Sequence, residues 1–305
     1  MFLFRVTVFL MALQCAAPPV RAQRKALAPA FYDTGPFTPG LEGPSSLHVF
    51  PLDAPRFILP LPFQLGAFAA TPDGDALYAT RSSWVQGWRE QGLYKIEFGP
   101  TRTVKVAGSD GLGSIKALAA SRVKIVASMF YPNEAGLRAR CGLYELTLST
   151  RDIVQIVPTS DCKDESFWDS ISMSPDSRKV AAVREHRLEV IDTETKAVRS
   201  LGDGFYAVAW SPNGRWIAAL EASGHHTILF DAVTFDKRRT LPATEVIWSL
   251  DSRSILVSRI RPLRCLGELG TLELLDIESG RRNTIRSSVC QIYRIVFGLV
   301  NVAAP

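Results

Sequence analysis

The sequence predicts an all-β protein built as a closed ring of four-stranded units, and three observations predict it. Three stretches repeat one another: Ile171-Ser-Met-Ser174-Pro175-Asp176-Ser177, Val208-Ala-Trp-Ser211-Pro212-Asn213-Gly214 and Val246-Ile-Trp-Ser249-Leu250-Asp251-Ser252. Their serines stand 37 and 38 residues apart, and self-similarity at such a period marks an array of small supersecondary units. Each repeat also joins two short apolar runs through a turn. Incomplete units stand at both ends of the chain, and together they make one whole unit.

The elements follow in order. Met1 to Ala22 carries one early cation, Arg5, an apolar run from Val6 to Ala17, and Val20-Arg21-Ala22 ahead of Gln23, the pattern of a signal peptide cut after Ala22. That run is too short for a comfortable membrane span, and no later stretch is apolar for long enough. The expectation is a monomer without a transmembrane segment in an oxidising compartment, periplasmic or secreted. Residues 23–46, with Pro36, Pro39, Gly40, Gly43 and Pro44, read as an extended Pro/Gly-rich segment, and residues 47–305 as the ring. The net charge of +5 is spread out, with no basic run longer than Lys237-Arg238-Arg239, which fits a solvated surface rather than a nucleic-acid partner.

Within a unit, a first strand such as Tyr206 to Trp210 enters the turn, where proline presets φ, Asp or Asn tolerates the third place and glycine closes it. Second strands read Lys179 to Val183, Trp216 to Leu220 and Ser254 to Ser258. Third strands end in an acid, at Asp192, Asp231 and Asp276, and a fourth, such as Lys196 to Leu201, completes the unit. Thr71-Pro72-Asp73-Gly74 opens an earlier unit, and the degenerate Ala119-Ala120-Ser121-Arg122 opens another. That makes five openings. Tyr293 to Phe297 is a sixth first strand, while Leu47 to Asp53 and Arg56 to Leu59 resemble a third and fourth strand. Closing a last unit from both termini removes open sheet edges.

This pattern resembles the TolB-type six-bladed β-propeller family, whose WD-like repeats carry a Ser-Pro-Asp-Gly turn after the first strand. The resemblance runs from Leu47 to Phe297, is strongest from Ile171 to Ile285, and implies a six-bladed fold rather than an activity. Two departures stand out. The segment before Leu47 is too short and turn-rich to be the family's extra amino-terminal domain. The Trp168-Asp169 pair lies in a first strand, so the WD-repeat hydrogen-bond network does not transfer.

Cys15 goes with the signal peptide, and four cysteines remain with three possible pairings. Aligned on the repeat, Cys141 lies between second and third strands and Cys162 after the fourth strand of the same unit; Cys265 and Cys290 repeat that placement. Both connections emerge on one face of a propeller, so the expected disulfides are Cys141 with Cys162 and Cys265 with Cys290. A zinc site is disfavoured, because no Cys-x-x-Cys pair is present.

The same face carries the longest connections. They bear Trp84, Trp88 and Arg89 in the first unit, Tyr131, Arg138 and Arg140 in the second, and Arg261 and Arg264 in the fifth. Aromatic and arginine side chains dominate interface hot spots, so these are the candidate partner-binding residues; inward packing of the tryptophans is the bland alternative. Asp161, Asp164, Glu165 and Asp169 form an acidic stretch without the regular order of a calcium loop. Gly224-His225-His226 places adjacent histidines on opposite sides of a strand, against a shared metal.

An enzyme would work at the mouth of the central channel, where the alignment sets Asp169, Tyr206, Glu245, Tyr293 and Arg294. Asp169 and Glu245 are two carboxylates without a third ligand, and no Gly-x-Ser-x-Gly elbow is present. The reading is an exported scaffold that binds a protein or peptide partner through its long-loop, disulfide-stapled face, with no cofactor or metal. The alternative is a metal-dependent hydrolase or lactonase at the channel mouth.

Overall fold

The computed structural model describes residues 25–33, 45–49, 57–61, 63, 65–72, 76–81, 92–98, 101–109, 114–131, 140–158, 168–243, 246–249, 251–259, 270–289 and 294–303. The segment Met1 to Ala22, expected to be a signal peptide, lies outside the described residues. In chain order the strands are β1 (Lys25–Asp33), β2 (Ser45–Val49), β3 (Phe57–Leu61), β4 (Leu65–Ala70), β5 (Ala76–Arg81), β6 (Leu93–Phe98), β7 (Thr101–Lys105), β8 (Ser114–Ala120), β9 (Lys124–Tyr131), β10 (Arg140–Thr147), β11 (Ile153–Pro158), β12 (Trp168–Met173), β13 (Lys179–Arg184), β14 (Arg187–Asp192) and β15 (Val198–Asp203). They continue with β16 (Phe205–Trp210), β17 (Trp216–Glu221), β18 (Thr227–Asp231), β19 (Lys237–Leu241), β20 (Ser254–Arg259), β21 (Gly270–Asp276), β22 (Arg282–Val289) and β23 (Arg294–Ala303).

Consecutive antiparallel strands form the sheets β4 to β7, β8 to β11, β12 to β15 and β16 to β19, called here the first to fourth blades. A further four-stranded sheet runs in the order β23-β1-β2-β3, and β20 to β22 form a sheet of three. Among the described residues, full four-stranded blades therefore number five. Beside the three-stranded sheet, Trp248 makes an isolated bridge to Ile255 where a first strand would stand. The architecture is an all-β propeller.

Both termini meet in one sheet. Strand β1 pairs with β23, from Lys25 opposite Ala303 to Tyr32 opposite Arg294, and with β2 on its other side. Thus a strand arises within residues 23–46, the segment the sequence presents as turn-rich. Strand β23 also packs against β4 and β6, which brings the end of the chain to the first blade.

The cores lie between blades, and alternation along the middle strands feeds two of them at once. On β13, Val180 and Ala182 join the core shared with the second blade, while Ala181 and Val183 join the core shared with the fourth. On β17, Ile217 and Ala219 face the third blade's core, and Ala218 faces the one containing Trp248. These strands are buried on both sides, which is why they read as unbroken apolar runs rather than polar-apolar alternation.

The repeated serine makes the turn. Ser174 Oγ donates to Asp176 Oδ1 (2.6 Å) and accepts from Lys179 N (2.9 Å). Ser211 repeats this with Asn213 and Trp216, and Ser249 with Asp251 and Ser254. The place after the Asp or Asn is left-handed, with φ of 62° at Ser177, 75° at Gly214 and 60° at Ser252.

The acid ending each third strand has an equally local cause. Asp192 Oδ1 accepts from Glu194 N and Thr195 N, Asp231 from Val233 N and Thr234 N, and Asp276 from Glu278 N and Ser279 N. Each carboxylate folds the chain back by an Asx turn. Those N–H donors, first from Thr195, Thr234 and Ser279 respectively, hold the three carboxyls below the ordinary range.

Candidate functional site

The connections divide by face. On one stand the strand ends Arg81 and Leu93, Tyr131 and Arg140, Pro158 and Trp168, and Arg259 and Gly270, between which the chain runs through residues outside the described ones. The same face of the third and fourth blades is low: Glu185 and His186 alone link β13 to β14, and Gly204 alone links β15 to β16. The opposite face carries the serine turns and the Asx turns. The two are called the loop face and the turn face below.

First strands line an axial channel. The walls of a cavity on the axis are built from β4, β8, β12, β16 and residues 246–248. Among the described residues neighbouring first strands do not pair by backbone, so their edge N–H groups need other acceptors. Serines supply them: Ser170 Oγ accepts from Val208 N (3.0 Å) and Ser172 Oγ from Trp210 N (2.8 Å), both across the blade boundary.

At the loop end the first strands β8, β12 and β16 each carry a bulge. Register shifts between Ile115 and Ala117, between Trp168 and Ser170, and between Phe205 and Ala207. The residues passed over are Lys116, Asp169 and Tyr206, all exposed. A bulge re-aims the extra residue, and here it turns one side chain per blade out of the inter-blade packing. Lys116 and Asp169 then meet across the boundary at 3.3 Å, with side chains 48% and 58% exposed. Tyr206 is 52% exposed and stands edge-on to His186 at 4.7 Å; His186 Nδ1 in turn lies 3.2 Å from Phe205 O.

Behind this collar the supports differ by blade. In the third, the fully buried Trp168 donates its indole N–H to Glu189 Oε2 (3.3 Å), and Arg184 both stacks on the ring (4.6 Å) and pairs with Glu189 (3.5 Å). The fourth blade replaces that polar pin with Phe205 against Phe230 at 5.9 Å.

Among the sequence-predicted residues, Asp169 and Tyr206 lie at the loop end of β12 and β16. Lys116 joins them, and counting shows why: each of the three stands five residues before the serine of its turn. Tyr131 and Arg140 are directly paired in register at the loop end of the β9–β10 hairpin, and Arg294 opens β23. Trp84, Trp88, Arg89, Arg138, Arg261, Arg264, Glu245 and Tyr293 lie outside the described residues. Cys141, buried at the start of β10, is disulfide-bonded, while Cys162, Cys265 and Cys290 lie outside the described residues. Gly142 beside it has φ of +150°, and a Cβ there would fall 2.3 Å from Val157 O, so only glycine fits.

Known structures share this architecture. TolB from Acinetobacter baumannii superposes with a TM-score of 0.62 at 16% identity, over 90% of this chain and 65% of that one. The fold is that of a TolB-like propeller. The chain spans less than two thirds of that TolB. An oligogalacturonate lyase from Vibrio parahaemolyticus matches at 0.53 and 12% identity, over 85% of this chain and 78% of its own. A candidate 6-phosphogluconolactonase from Bacteroides uniformis matches at 0.50 and 14%, over 87% and 83%. No protein-family model and no curated protein sequence matches the chain. At such identities the likeness is one of fold, and neighbours named for such different activities leave function to be argued from the site.

Proposed function

We propose that the protein is an exported scaffold, periplasmic or secreted, whose loop face holds a protein or peptide partner. The ring has six blades, with residues 246–248 completing β20 to β22 and the joined termini making the sixth. One observation carries the reading: at the loop end of three neighbouring first strands, bulges expose Lys116 and Asp169, which form a charge pair, and on the next blade Tyr206, whose ring stands against His186. Exposed tyrosine combines apolar area with a polar tip and is enriched at binding hot spots. The connections bearing Trp84, Trp88 and Arg261 join strand ends on the same face, where Arg140 opens β10.

Disulfides brace those connections. Gly142 pairs with Pro158, so Cys141 stands beside the end of β11 and Cys162 follows four residues later. That nearness supports the pairing Cys141 with Cys162, and the repeat supports Cys265 with Cys290.

Pull-down from envelope extract tests the assignment. Replacing Tyr206, Trp84, Trp88, Arg140 and Arg261 by alanine abolishes partner capture while the fold is kept; unaltered capture contradicts the loop face. Hydrolysis at the same mouth is the competing chemistry. Against it, the Asp169 carboxylate is engaged by the Lys116 ammonium. Metal content and turnover of a lactone panel, compared with the Asp169→Ala and Glu245→Ala variants, separate the two.

A further inference from the structure

The other end of the channel has the opposite chemistry. There the first strands and serine turns enclose a cavity of ≈ 360 Å³, within the size range of small-molecule sites. None of the described residues lining it is charged, and Pro72, Pro175 and Pro212 stand around its turn-face rim. Trp210 and Trp248 contribute to the wall, and both are more than nine-tenths buried.

The polar side-chain groups of Trp210, Trp248, Ser172, Ser211 and Thr71 in that wall have hydrogen bonds within the protein. Trp210 Nε1 donates to Gly214 O (3.4 Å) and Trp248 Nε1 to Ala209 O (3.2 Å), so neither indole N–H is left for a ligand. Ser172 Oγ accepts from Trp210 N, Ser211 Oγ bonds Asn213 and Trp216, and Thr71 Oγ1 bonds both N and O of Ala76. A sugar or phosphate entering here would lose its water and gain few partners, whereas an apolar body loses nothing.

From this we infer that the turn-face half of the channel is a binding site for a neutral, apolar small molecule of about two fused rings in size, held between the prolines of the rim and the uncharged first-strand residues of the wall, Phe68, Ala207 and Ile247 among them. The site is separate from the loop-face collar and needs no protein partner, so each assignment can fail without the other.

N-phenyl-1-naphthylamine, a neutral fluorophore, is the probe. The full mature chain binds it saturably, near one per protein, with energy transfer from tryptophan that falls in Trp248→Phe. Two cavity-filling variants, Ala70→Phe and Ala207→Phe, act from different walls of the cavity and each weaken binding at least tenfold with an unchanged circular dichroism spectrum. Val233→Ser, at an apolar residue 80% exposed on a turn, binds as the parent does. No saturable binding, binding indifferent to both fillers, or loss in Val233→Ser overturns the site. If a filler does not fold, the parent decides: stoichiometric transfer supports the site, and its absence overturns it.

Discussion

The two ends of the first strands obey different rules. At the turn end, Ser174, Ser211 and Ser249 repeat one hydrogen-bond pattern almost atom for atom. At the loop end the equivalent positions hold a lysine, an aspartate and a tyrosine, over a polar pin in one blade and a phenylalanine pair in the next. Within a single chain the repeats serve as controls for one another. What recurs is required by the fold, and what diverges at a fixed position is free of that requirement and available for recognition.

Breaking the supports of the loop end should have the largest effect. Trp168→Ala removes a fully buried ring and leaves Glu189 and Arg184 without it, so urea unfolding should show a loss of about 3–5 kcal/mol. Trp168→Phe copies the fourth blade but takes the indole donor from the buried Glu189 Oε2, leaving Arg184 as the partner, at about 1–3 kcal/mol. A loss no greater than that of a surface variant would show the pin to be ornamental.

The turn end comes next. Ser211→Ala strands the Trp216 N–H that the hydroxyl now accepts, and about 1–2 kcal/mol of stability should go with it. Equal effects at Ser174 and Ser249 would sharpen the claim that this end is uniform; a spread as wide as at the loop end would undo it.

Acid titration probes the same face more gently. The backbone N–H groups of the Asx turns favour the ionised carboxylates of Asp192, Asp231 and Asp276, so their folded pKa values lie below the unfolded ones. The stability they contribute is complete above the unfolded value, near pH 4, and is lost as pH falls through the folded values. Replacing all three by asparagine, which keeps an acceptor but cannot titrate, should flatten the decline in thermal stability below about pH 4. Stability that still falls as steeply in the triple variant would place the acid sensitivity elsewhere.

Smallest in stability are the collar residues themselves. Lys116→Ala and Tyr206→Ala should each cost no more than about 0.5 kcal/mol, because both side chains are exposed and an exposed ion pair contributes little. Partner capture should nonetheless drop sharply, and that separation of stability from binding is what distinguishes the two ends.

Sequence makes the repeating end legible and the diverging end only partly so. Ser-Pro-Asp-Gly chemistry is local, so turns, strand pairs and the acidic strand ends can be read directly. Strand β1 is obscured by Pro29, which cannot donate to a ladder; the register shifts between Pro29 and Phe31 and accommodates it. Lys116 is hidden because its unit turns through Ala-Ala-Ser-Arg without proline, leaving no sharp landmark from which to count. In the fifth unit the same count reaches Thr244 rather than its neighbour Glu245, because the bulge seen in β8, β12 and β16 adds a residue that strand alternation alone does not reveal. The Trp168, Glu189 and Arg184 pin joins residues on three strands and has no local signature.

Site-specific photocrosslinking tests the central claim most directly. With p-benzoylphenylalanine in place of Tyr206 on the loop face, and separately in place of Val233 on the turn face, irradiation in the native envelope should yield a discrete covalent adduct from position 206 and none from 233. Adducts from 233 alone, or equal adducts from both, would contradict recognition at the loop end of the channel.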